Sequence, residues 1–115
     1  MNLKIKEDVV MPANVEAFPD PLNRPLVGGQ YLMYKDRPLV REGDTICYGD
    51  MNESHILVME IMSYKETDGN TVPDKILVQV LESENQTKIY RQGSKSGLYE
   101  AFGYGLIWLE QALAH

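Results

Sequence analysis

The chain is predicted to be an α+β domain. We expect an antiparallel β-meander of five to seven strands, strongly twisted or partly closed into a barrel, with one C-terminal α-helix packed on one face. Three observations lead there. Residues 97–113 carry a wide apolar stripe at helical spacing, residues 30–91 break into short β-prone runs divided by turn residues, and the links between those runs are short. Parallel neighbours would need crossovers of about a dozen residues or more, so short links mean antiparallel pairing.

At the N-terminus, Leu3, Ile5, Val9 and Met11 alternate with Lys4, Lys6 and Asp8, the pattern of a poor first strand interrupted by Glu7. Residues 12–29 then change character. Pro12, Pro19, Pro21 and Pro25 remove backbone donors and forbid a regular helix, and Gly28 and Gly29 end the segment. Its large apolar residues, Val15, Phe18, Leu22, Leu26 and Val27, predict an extended covering segment that lies on the rest of the domain, the alternative being a disordered arm.

Strands are expected at 31–35 and 38–41 around a turn at Asp36 and Arg37, and at 45–48 after a reversal at Glu42, Gly43 and Asp44. A loop at 49–54 leads to the longest strand candidate, 55–65. A longer hairpin loop at 66–74 contains Asp68-Gly69 and Pro73, and strands at 75–82 and 87–91 follow. In the helix, Leu98, Ala101, Phe102, Gly105, Leu106, Trp108, Leu109, Ala112 and Leu113 share the core side. Glu100, Gly103, Ile107, Glu110 and Gln111 lie opposite, with Tyr99 and Tyr104 at the margins.

The central strands are apolar on both sides. Leu57, Met59 and Ile61 alternate with Ile56, Val58, Met62 and Tyr64, with Glu60 the exception, and Ile76, Val78 and Val80 alternate with Leu77, Gln79 and Leu81. One helix covers one face. The second must be closed by residues 12–29, by curling of the sheet, or by another subunit, since wet apolar surface costs about 25 cal/mol per Å².

Composition sets the outer limits. A chain of 115 residues, 43% hydrophobic and 24% charged, is a single domain with one core, 1–115. Its 17 acidic and 11 basic residues give a net charge of -6, which disfavours nucleic acid and anionic membranes as partners. A single cysteine, Cys47, cannot form an intrachain disulfide and has no CxxC partner for zinc. No signal-peptide block and no membrane-length apolar run is present, so the expected location is cytoplasmic.

No segment carries a specific catalytic motif, and neither a cofactor nor a metal is expected. The best local candidate for a ligand is the link from the last strand to the helix, an anion site built from Arg91, Gly93, Ser94, Lys95, Ser96 and Gly97 beside unpaired helix amides. The spacing is not that of a P-loop, and Ser96 or Gly97 with Glu100 reads equally as a capping box. Cys47 and His55 flank one hairpin. With Tyr48 opposite His55 they point to opposite faces, which argues against a thiol–imidazole pair. Asp44, Asp50, Glu53 and His55 gather around the same loop, but the run from Asp50 lacks the glycine and the terminal glutamate of a calcium loop. Glu60, set among apolar neighbours, could be a buried carboxylate, but a place at a sheet margin or a pairing with Arg91 or Lys88 is the simpler reading.

Gly103, Tyr104 and Ile107 on the outer side of the helix are candidate interface residues. The functional expectation is therefore a small non-enzymatic interaction domain whose partner is most simply itself, as a homodimer. The alternative is a small-anion binding or catalytic domain using the loop at 93–97.

Overall fold

A computed structural model describes residues 32–114. The strand expected at 3–11 and the proline-rich segment at 12–29 lie outside the described residues.

Among the described residues eight strands precede the helix: β1 (Leu32–Tyr34), β2 (Arg37–Glu42), β3 (Thr45–Tyr48), β4 (His55–Ile61), β5 (Tyr64–Thr67), β6 (Asn70–Pro73), β7 (Lys75–Glu82) and β8 (Ile89–Ser96). The helix, α1, spans Leu98–Leu113. Six strands form one antiparallel sheet in the order β1-β2-β3-β4-β7-β8, and β5-β6 is a separate two-stranded hairpin. Among the described strands the sheet is open: β1 and β8 are its edges, so these strands do not close into a barrel.

Tight turns set the register. Lys35 and Asp36 both have positive φ (50° and 67°), as do Asp68 and Gly69 (52° and 81°), the type I′ geometry whose twist matches that of the flanking strands. The β1–β2 reversal thus falls at Lys35-Asp36, one residue before the expected turn. Tyr48 pairs with Leu57 and Cys47 with Val58. The expected pairing of Tyr48 with His55 is corrected by two residues. A shift of two preserves which side each residue faces, so Cys47 and His55 do point to opposite faces.

The expected long strand at 55–65 is two strands. It breaks after Ile61, where Met62 is 63% exposed, and resumes as β5, with Tyr64 at 43%. The loop expected at 66–74 is correspondingly mostly β5-β6 hairpin.

The helix face of the sheet is a grid. Leu39, Tyr48, Leu57 and Val80 stand in one row across four strands, and Ile46, Met59 and Val78 in the next. All of these are essentially inaccessible to solvent. Above them α1 buries Ala101, Phe102, Gly105, Trp108, Leu109 and Ala112, with Leu98, Leu106 and Leu113 partly buried against the same core, as its spacing predicts. Tyr34, Tyr48 and Phe102 form a ring cluster with centroids 5.5–6.0 Å apart. The Tyr48 hydroxyl donates to the Tyr34 carbonyl at 2.6 Å, so the buried phenol is satisfied.

Two glycines let the layers meet. A Cβ at Gly105 would lie 2.7 Å from Leu57 Cδ1, and one at Gly93 would lie 3.0 Å from the Trp108 ring. The helix therefore rests directly on β4 through Gly105, and the indole rests directly on β8 through Gly93.

Candidate functional site

The residues expected to form an anion loop belong mostly to a strand. Gly93, Ser94, Lys95 and Ser96 are all part of β8, and only Gly97 remains as the N-cap of α1. Sidedness alternates along a strand, so Arg91, Gly93 and Lys95 share the helix face while Ser94 and Ser96 share the other. The six residues do not surround the first amides of the helix. No side chain caps those amides, so the expected capping box does not form, and the Gly97 amide donates to the Asp74 carbonyl at 2.6 Å.

Arg91 and Lys95 are instead laid on aromatic surfaces. The Arg91 guanidinium sits 4.7 Å from the centre of the Trp108 ring and reaches Gln111 Oε1 at 3.4 Å. The Lys95 ammonium sits 3.7 Å from the centre of the Tyr104 ring and 5.7 Å from that of Trp108. Such contacts contribute about 0.5–1 kcal/mol each at exposed sites, which biases where each cation stands. Tyr104 is thereby committed to this seam between β8 and α1 as well as to its expected place on the helix exterior. Ile107 is 55% exposed and Gly103 is half-buried.

The acidic cluster predicted around residues 44–55 is dispersed into structural roles. Glu53 receives Arg37 through two bonds, Nε to Oε1 at 2.7 Å and NH2 to Oε2 at 3.1 Å, while Arg37 NH1 reaches Glu110 Oε2 on α1 at 3.0 Å. Arg37 thus ties the β3–β4 loop and the helix to the start of β2. The hydrogen bond to Glu53 holds its pKa above the usual range even against the cost of burial. Asp50 Oδ1 accepts the Asn52 amide at 2.8 Å, a turn contact. Asp44 accepts the Tyr64 hydroxyl at 2.5 Å, and Tyr64 in turn borders the buried Arg41, whose Nε donates to the Gly43 carbonyl at 2.9 Å. That hydrogen bond to Asp44 raises the Tyr64 pKa. Among the described residues no group of three His, Cys, Asp or Glu side chains could hold a metal ion.

Cys47 and His55 are separated by sidedness. Desolvation, reinforced by Glu42, raises the Cys47 thiol above its ordinary pKa, the opposite of what a nucleophile needs. His55 Nδ1 is 2.8 Å from Ser54 Oγ, and its ring meets Tyr90 edge-on at 5.5 Å. With Met51, Asn52, Glu53, Glu82 and Glu84 it borders a cleft of about 580 Å³ that sequence reasoning missed, because its walls come from two separate turns. Glu60 is exposed between Thr45 and Leu77 on the face away from the helix, so it is not a buried carboxylate.

That second face is the most extensive unassigned surface. Val40, Cys47 and Val58 lie side by side on β2, β3 and β4. Val40 and Val58 are half-buried, Cys47 is exposed, and Leu77 is half-buried on β7. Ile56 and Leu81, paired across β4 and β7 on the same face, are buried at 4% and 6% exposure. Toward β8 the face turns polar, with Gln79 Nε2 donating to Gln92 Oε1 at 2.9 Å. Among the described residues no helix is long and apolar enough to cross a membrane. No family model, curated protein or solved structure matches the chain.

Proposed function

We propose that this protein is a small non-enzymatic interaction domain that associates with itself, most simply as a homodimer, through the sheet face opposite α1. The observation that carries the reading is the run of Val40, Cys47 and Val58 across three neighbouring strands, bounded on β7 by Gln79, with Leu77 opposite Glu60 in the adjacent row. An apolar strip of this kind can meet its own copy about a two-fold axis, the commonest way that equal subunits pair. The opposite facing of Cys47 and His55 and the raised Cys47 pKa support a non-catalytic role. A cytoplasmic location belongs to the same reading, supported by a lone cysteine that cannot form an intrachain disulfide.

A small-anion site at Arg91 and residues 93–97 draws less support, because alternation along β8 sends those side chains to two faces. Association through Gly103, Tyr104 and Ile107 would use the other side of the molecule. Sedimentation across the micromolar range tests the proposal. A concentration-dependent dimer is expected, abolished by Val58→Glu and unaffected by Ile107→Glu. A monomer at every concentration overturns the reading, and loss of the dimer only in Ile107→Glu moves the contact to the helix.

A further inference from the structure

We infer that the outer edge of β8 is a docking site for an extended acidic peptide, which adds to the sheet as a further antiparallel strand. This surface is distinct from the face proposed for self-association and does not depend on it. β8 is one of the two longest strands of the sheet and stands at its margin, paired through β7 alone among the described strands. A sheet edge offers a row of main-chain donors and acceptors to any strand of matching register.

Charge decides which strand fits. From Asn85 to Tyr99 the chain has no acidic residue, although the whole carries a net charge of -6, and this stretch includes Lys88, Arg91 and Lys95. The residues across from Arg91 and Lys95 on β7 are Val80 and Ile76, which supply no counter-charge. A second β8 laid antiparallel on the first would bring cations together with no acid between them. The charges that deter self-pairing at this edge favour a partner of opposite sign.

The site is also preorganised. Trp108 and Tyr104 hold the Arg91 and Lys95 head groups on the helix face. An incoming strand places every second side chain on that face, so acidic residues four positions apart would meet Arg91 and Lys95. The position between them would lie beside Gly93, where the Trp108 ring fills the space that a side chain on β8 would take.

The test is a titration of the full ¹⁵N-labelled chain with a capped seven-residue peptide. It carries glutamate at its second and sixth positions and alternating valine and threonine elsewhere; a lysine counterpart and oligothymidine are compared. Expected are amide shifts and slowed hydrogen exchange concentrated in residues 89–96, weakening as salt is raised, with the lysine peptide silent. Trp108, the chain's single tryptophan, should report the same event by fluorescence. Arg91→Glu with Lys95→Glu should reverse the preference toward the lysine peptide. If that variant misfolds, Arg91→Gln and Lys95→Gln should each weaken the glutamate peptide about three- to ten-fold. No shift in β8 at millimolar peptide, equal response to both peptides, or preferential binding of oligothymidine overturns the inference.

Discussion

The two sides of β4 belong to one backbone and yet meet different conditions. Toward α1, Leu57, Met59 and Ile61 are buried under a helix that touches the sheet through Gly105. Away from it, Ile56, Val58 and Glu60 run from buried to half-buried to exposed. The contrast teaches that hydrophobic alternation alone does not define the core of this domain. The sixteen-residue helix covers the larger buried set, while Ile56 and Leu81 are buried on the other face without it.

The largest effect should separate the two sides directly. Leu57→Ala, beneath Gly105, should cost about 3–4 kcal/mol in denaturant unfolding, whereas Val58→Ala, one residue along, should cost less than about 1 kcal/mol in the monomer. Equal costs would mean that the second face is packed as tightly as the first.

A smaller effect is expected at the helix contact. Gly105→Ala would gain about 1 kcal/mol of helix propensity, but its methyl would lie 2.7 Å from the Cδ1 of the fully buried Leu57, so a net loss of about 1–2 kcal/mol is expected by thermal or chemical unfolding. A gain would show that the helix can lift from β4 without penalty.

The Tyr48 hydroxyl sharpens the comparison through pH. Burial pushes its pKa up to about 12 from an ordinary 10, so the folded state prefers the neutral phenol. The corresponding stability is complete below pH 10 and falls as pH rises toward 12, by about 2 kcal/mol. Tyr48→Phe should remove the contribution of this residue to the alkaline loss, while costing about 1 kcal/mol at neutral pH through the vacated Tyr34 carbonyl. The smallest effect belongs to the outer ridge of α1, where Ile107→Gln should change stability by no more than about 0.5 kcal/mol.

Much of this arrangement was legible beforehand, for physical reasons. The helix stripe was readable because every core residue from Leu98 to Leu113 obeys one period, and β3 and β7 have the expected bounds because β-branched runs end at turn residues. β8 was misread as a loop from Gln92 onward because its sequence of glycine, serine and lysine has the composition of a turn. Gly93 is there because Trp108 needs its space, a reason that exists only once the helix is folded back. The aromatic seats of Arg91 and Lys95 were hidden for the same cause, since they join residues far apart in the chain. The break after Ile61 was concealed by apolar alternation that resumes past Glu60 through Met62 and Tyr64, residues that are exposed to solvent.

The excursion between β4 and β7 has a practical consequence. Its neck is shut by two main-chain bonds, the Met62 amide to the Lys75 carbonyl at 2.7 Å and the Asp74 amide to the Ser63 carbonyl at 2.8 Å. The hairpin tip beyond that neck is exposed, and a Cβ at Gly69 would meet nothing within 4 Å. A reporter peptide or a small guest domain spliced between Asp68 and Gly69 would therefore ride on the molecule as cargo while the host still assembles.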